Sequence, residues 1–241
     1  KAGALKIAVP VLSRIANFDD FDPLRAEPDV ELVFVKPGER LPEDAGLVIL
    51  PGSKSTIGDL ADFRGQGWDA DLQAHHRRGG RIIGICGGYQ MLGRMGSDPL
   101  GIEGAEPAAE GLGLLDVSTE MAPEKTVRNI AARSAQGDLP LEGYEIHLGV
   151  SQGPDCARPM TFLDGRPDGA TSPDGRVSGT YLHGLFGSDA YRAELLKSFG
   201  LTGGLANYRE DVDAALDDIA AELDRLVGFE RIMEASGVIG R

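Results

Sequence analysis

The 241-residue chain is acidic, with 24 Lys and Arg against 38 Asp and Glu and a formal net charge of −14; this excludes sequence-independent binding to nucleic acid, which needs a positive surface. Its 41% hydrophobic share is ordinary for a globular fold, and no run approaches the ~18 apolar residues of a membrane-spanning helix. The two cysteines, Cys86 and Cys156, do not make a disulfide framework. The opening KAGALKIAVPVL lacks the long apolar region and cleavage site of a secretory leader, so the expected setting is reducing and cytoplasmic. No CxxC or Cys/His cluster suggests a metal site.

In chain order, LKIAVPVL (5–12), VELVFVKP (30–37), GLVILPG (46–52) and GRIIGICGG (80–88) are short apolar runs that end in turn signals, the pattern of buried parallel strands. A helix is predicted from about Thr56 to Arg78, interrupted near Gly65–Gly67 and closed by Gly79–Gly80. The segment 94–110 reads as a surface loop. GLGLLDVST, TVRNIAARS, LEGYEIHLG and PMTFLDG have the alternation of antiparallel strands. VSGTYLHGLF follows, then helices at about 189–199 and 208–227. The last places apolar residues at 215, 216, 219, 220, 223, 226 and 227, a helical period, and its acidic residues read as a solvated face. The expected fold is α/β: a central, mostly parallel sheet with helices on both faces, plus a smaller antiparallel sheet from the second half. A single domain over 1–241 is expected, with a core at about 5–200 and a helical extension at about 205–235.

The most informative string is Gly84-Ile85-Cys86-Gly87-Gly88-Tyr89-Gln90. A strand runs into a helix through glycines that surround one reactive side chain, the pattern of a nucleophile elbow with Cys in place of Ser. Small neighbours permit a strained backbone at the nucleophile, and the helix start supplies amide donors. A lone Cys near glycines is more often a small buried hydrophobe; the whole string is far more specific. A thiol nucleophile needs a base. His75 and His76 lie on a basic helix end, where they complement the helix dipole. His183, in TYLHGLF, and His147, in YEIHLG, both remain candidates, because base and nucleophile meet only in space. The turn LPGSKST ends another strand, and ligands of open α/β sheets bind at the carboxyl ends of strands. Amides at Gly52 or Ser53, with that of Gly87, would form an oxyanion hole. The bland alternative there is a strand–helix turn with Ser53 or Ser55 as cap. No phosphate-loop string is present.

These segments together resemble a class I (triad-type, flavodoxin-like) glutamine amidotransferase. SRIANFDDFDPL, LPGSKST, GICGGYQMLG, EGLGLLDV, GYEIHLG and GTYLHGLF, in that order, are more closely similar to the C-terminal half of the cobyric acid synthase family of cobalamin biosynthesis. The resemblance spans about residues 5–200. It implies that Cys86 attacks the glutamine side-chain amide, that His183 is general base and acid, and that Gly52, Ser53 and Gly87 present oxyanion amides. Gln90, Glu145 and His147 would help bind glutamine. The wider superfamily carries a Glu two residues after the catalytic His; here that position is Leu185. The orienting partner of His183 is therefore unassigned, with Glu145 one candidate and a backbone carbonyl another. The resemblance also implies an N-terminal ATP-binding synthetase domain outside this chain, with ATP and Mg on it, no cofactor here, and a corrinoid acceptor only in the full enzyme. The alternatives are the glutaminase partner of a peptidoglycan-amidating ligase, a cysteine hydrolase or chaperone-like protein of similar architecture, and a catalytically silent docking module.

Overall fold

The computed structural model describes residues 3–104, 106–123, 126–202, 204 and 207–237. Strand β1 (Leu5–Pro10) is followed by helix α1 (Asp22–Ala26), β2 (Val30–Val35), β3 (Leu47–Leu50), α2 (Thr56–Gly65), α3 (Trp68–Arg77), β4 (Arg81–Ile85) and α4 (Gly87–Leu92). The second half adds β5 (Thr126–Ser134), β6 (Pro140–His147), β7 (Thr161–Leu163), β8 (Arg166–Asp168), β9 (Ala170–Thr171), β10 (Val177–Thr180) and β11 (Leu182–His183). The helices α5 (Asp189–Lys197), α6 (Tyr208–Leu226) and α7 (Phe229–Ala235) follow.

The central sheet has the order β9-β10-β4-β3-β1-β2 and is parallel except at β9. Its inner strands are apolar on both faces because both faces are covered: every residue of β3 is buried, as are four of the five in β4. Packed on one face are Leu60 and Phe63 of α2, Trp68 and Leu72 of α3, and Tyr89, Met91 and Leu92 of α4. The other face packs against Leu24 of α1, Leu196 of α5, and Ile130, Leu141 and Leu163 of a second sheet. That second sheet, β8-β7-β5-β6-β11, is antiparallel throughout.

The helix expected over Thr56–Arg78 is two helices. Gly67 takes φ 74° between them, a left-handed turn that glycine adopts at little cost. The stretch 94–110 is not simply a loop. Met95–Ser97 and Ala108–Glu110 pair within a four-stranded sheet that also holds Ser118–Glu120 and Val150–Gln152. Only the end of GLGLLDVST is strand; its glycines and leucines turn beneath α4, with Leu112, Leu114 and Leu115 amides donating to α4 carbonyls. A buried ion pair joins α5 to the end of α1, with Arg192 Nε 2.8 Å from Glu27 Oε1 and neither side chain exposed.

The chain divides into two compact units, Lys1–Leu205 and Ala206–Arg241. In the second, α6 carries Val212, Leu216, Ile219, Leu223 and Leu226 along one face, all exposed.

Candidate active site

At the carboxyl end of β4 the chain turns sharply. Cys86 sits at φ 50°, ψ −110°, a conformation that side chains rarely adopt and that costs on the order of 1–3 kcal/mol. The flanking glycines make the turn possible. A Cβ at Gly84 would sit 2.6 Å from the Tyr89 amide nitrogen, and one at Gly87 would sit 2.8 Å from the Ser53 nitrogen. The turn is tied to the neighbouring strand by Cys86 N–H donating to Thr180 O at 2.8 Å. Its thiol is buried and donates to Ile146 O of β6 at 3.3 Å.

The same close approach brings the LPGSKST turn alongside. Gly52–Ser53 pairs antiparallel with Ile15–Ala16, and the turn is held by Asp59, which is fully buried. Asp59 accepts from Ser53 Oγ at 2.6 Å, Ser13 Oγ at 2.6 Å and the Arg14 amide at 3.2 Å. The backbones of Ser53 and Gly87 therefore lie against each other next to Cys86, where Gly52, Ser53 and Gly87 were expected to gather.

His183, at the end of β11, packs beside this turn. A Cβ at Gly52 would meet His183 Cε1 at 3.2 Å. Its Nδ1 is 2.7 Å from Asp20 Oδ2, and Asp20 Oδ1 accepts the Gly184 amide at 2.7 Å. Both side chains are buried. His183 Nε2 is buried with no hydrogen bond of ordinary length. Burial works to lower the His183 pKa; Asp20 on one side and Cys86 on the other outweigh it and push the value up to about 10. Cysteine, imidazole and carboxylate thus stand in the order of a nucleophile, its base and the base's orienter.

The group that meets His183 Nδ1 is the Asp20 carboxylate, not Glu145 and not a backbone carbonyl. Glu145 lies on the opposite face of β6 from Tyr144, whose ring stacks on His183. It is bound to Arg128 Nη2 at 2.7 Å, His147 Nε2 at 2.9 Å and Arg166 Nη2 at 3.4 Å. His147 is committed elsewhere: Nδ1 to Gly149 O at 3.1 Å, Nε2 to Glu145, its ring stacked on Tyr181 at 3.8 Å. Of the two candidate bases, His183 is the one placed beside Cys86. Gln90 is engaged at both ends of its carboxamide. Its Nε2 donates to Leu148 O at 2.8 Å and Tyr181 OH at 3.2 Å, while Oε1 accepts from Thr56 Oγ1 at 2.7 Å. Gln90, through Leu148 O, and His147, through Gly149 O and Glu145, fix the turn that follows Ile146, whose carbonyl accepts from the thiol. Among the described residues no group of three or more His, Cys, Asp or Glu side chains could hold a metal ion.

A family model described as a CobB/CobQ-like glutamine amidotransferase domain matches residues 6–191. The chain belongs to this family of glutamine amidotransferase domains. The cobyric acid synthase of Rhizobium johnstonii is 75% identical over 224 residues, covering 93% of this chain and 46% of that protein. That of Rhizobium rhizogenes is 73% identical over 225 residues, again 93% and 46%. The amidotransferase domain thus spans about half the length of the curated relatives it matches. Among solved structures, PurLQS from Thermotoga maritima has a TM-score of 0.57 at 19% identity, covering 75% of this chain and 87% of that one. A structure described as a glutamine amidotransferase has a TM-score of 0.53 at 14% identity, covering 81% and 99%. These likenesses establish the fold of the amidotransferase domain, a class I glutamine amidotransferase fold, as the sequence led us to expect. No helix among the described residues is long and apolar enough to cross a membrane.

Proposed function

We propose that this domain hydrolyses glutamine through a cysteine thioester and supplies the ammonia to ATP-dependent amidation of corrin side-chain carboxylates. The observation that carries the chemistry is the strained Cys86 turn with His183 and Asp20 aligned behind it. Cys86 Sγ attacks the side-chain amide carbon with His183 Nε2 holding the proton that the sulfur has given up. The oxyanion is received by amides of Ser53 and Gly87, a contribution of about 3–4 kcal/mol per good donor. His183 then gives the proton to the departing nitrogen, and ammonia leaves. Water attacks the thioester with His183 again as base, releasing glutamate and restoring the thiol. Asp20 holds the imidazole with Nδ1 protonated and Nε2 facing the sulfur.

Glutamine would enter under the Leu148 turn, which Gln90, Glu145 and His147 hold in place. The acceptor half of the reaction belongs to the remaining length of the polypeptide, where the synthetase, its ATP and its Mg would reside, in the cytoplasm. A corrin acceptor is preferred to peptidoglycan because the relatives matched over almost the whole chain are cobyric acid synthases. The test is glutamate release from glutamine by the chain alone and joined to its synthetase half, wild type against Cys86→Ala. Activity that survives Cys86→Ala in both settings overturns the mechanism.

A further inference from the structure

The single turn Asn17–Asp20 reaches the catalytic imidazole by two routes. Asp20 meets His183 Nδ1 in the plane of the ring. Asn17, which takes φ 59°, ψ 56° at the start of the turn, donates from Nδ2 to Tyr144 OH at 2.5 Å. Tyr144 is the cross-strand partner of His183, and the two rings stack with centroids 5.1 Å apart and planes 12° from parallel. The turn is itself closed by the Asp20 amide donating to Asn17 O at 3.2 Å. An in-plane hydrogen bond leaves an imidazole free to rock about that bond; a parallel ring on its face removes the freedom.

We propose that Tyr144 is a positioning residue for glutamine hydrolysis: its ring, stacked on His183, fixes the tilt of the imidazole and favours its protonated form. The inference rests on the glutaminase reading above. Its electrostatic side follows from the negative face of an aromatic ring, which attracts a cation stacked on it. The ionisable groups that face His183 are Asp20 from the turn, Cys86 from the end of β4 and Tyr144 from β6; Asp19 lies on the Tyr144 side. Tyr144 is only partly buried, so its ring is not a cornerstone of the core.

The decisive measurement is the NMR titration of the His183 imidazole in the 241-residue chain, which does not depend on turnover. Tyr144→Met keeps bulk without a π face and is expected to lower the midpoint by about one pH unit, roughly tenfold in proton affinity. Tyr144→Phe keeps the ring and should stay within about a third of a unit of wild type. In glutamine hydrolysis, Tyr144→Met should lower kcat about tenfold with KM changed less than twofold. Should Tyr144→Met fail to fold, a graded set of fluorinated phenylalanines at the same position changes the charge of the ring face at nearly constant shape. Their midpoints should fall stepwise with fluorination. An unchanged midpoint in Tyr144→Met, a flat fluorination series, or Tyr144→Phe as damaging as Tyr144→Met would overturn the proposal. If titration shifts as expected while neither wild type nor any variant hydrolyses glutamine, alone or joined to the synthetase half, the stacking stands and the glutaminase reading falls.

Discussion

Asp20 and His183 are 163 positions apart in sequence and 2.7 Å apart in the fold. The contact carries the loop after the first strand onto the imidazole beside Cys86. Replacing Asp20 by Asn keeps the shape but presents Nδ1 with the wrong partner and favours the wrong tautomer. The expected loss in kcat is about 10²–10⁴-fold with little change in KM, checked by glutamate release under saturating glutamine.

The same pair makes a prediction about stability and pH. The folded-state pKa of His183 is raised from 6.5 to about 10, so the folded protein binds this proton more tightly than the unfolded chain. The stabilisation is fully present below about pH 6.5 and is lost as pH rises through about 10. Asp20→Ala, which strips one partner from a buried pair, should destabilise by about 3–5 kcal/mol at pH 6. The gap in melting temperature between wild type and Asp20→Ala should shrink steadily from pH 6 to pH 10; a constant gap would remove the pair from the stability account.

The two histidines separate in the kinetics. His183→Ala should cost about 10²–10⁴-fold in kcat. His147→Ala touches the Leu148 turn through Tyr181 and Gly149, so it should raise KM several-fold and change kcat by less than about threefold. Equal losses in kcat would mean that His147 does more than shape the turn.

Arg192 and Glu27 tie α5 to the end of α1 without touching Cys86, His183 or Asp20. Arg192→Met removes the buried guanidinium that serves Glu27, Asp189 and the Phe186 and Gly187 carbonyls and should destabilise by about 3–5 kcal/mol, read from chemical denaturation. Activity per folded molecule should be unchanged.

Much of this site can be read from residue strings. The Cys86 turn, the Gly52–Ser53 turn and His183 each lie at a strand end, where glycine requirements and strand periodicity leave a local trace. Asp20 leaves none. It is one of three acids in NFDDFD, any of which reads as a solvated loop charge, and the pairing of Ile15–Ala16 with Gly52–Ser53 helps fold that loop onto His183. The SRIANFDDFDPL string stood out as characteristic, yet its physical job is fixed by contacts of very long sequence separation. The misjudged strand in GLGLLDVST fails for a related reason: its leucines satisfy α4 carbonyls rather than a neighbouring strand, a choice local periodicity does not record.

The backbone at Cys86 has a consequence for how this protein could change under selection. A residue held at φ 50°, ψ −110° is paid for in fold stability, and glycine would relieve the strain. Cys86→Gly should therefore melt higher than wild type while losing the reaction altogether. A screen for heat resistance without a screen for turnover would drift toward the dead enzyme at this one position. A sequence collected from a lineage that no longer needs the ammonia should show the loss there early.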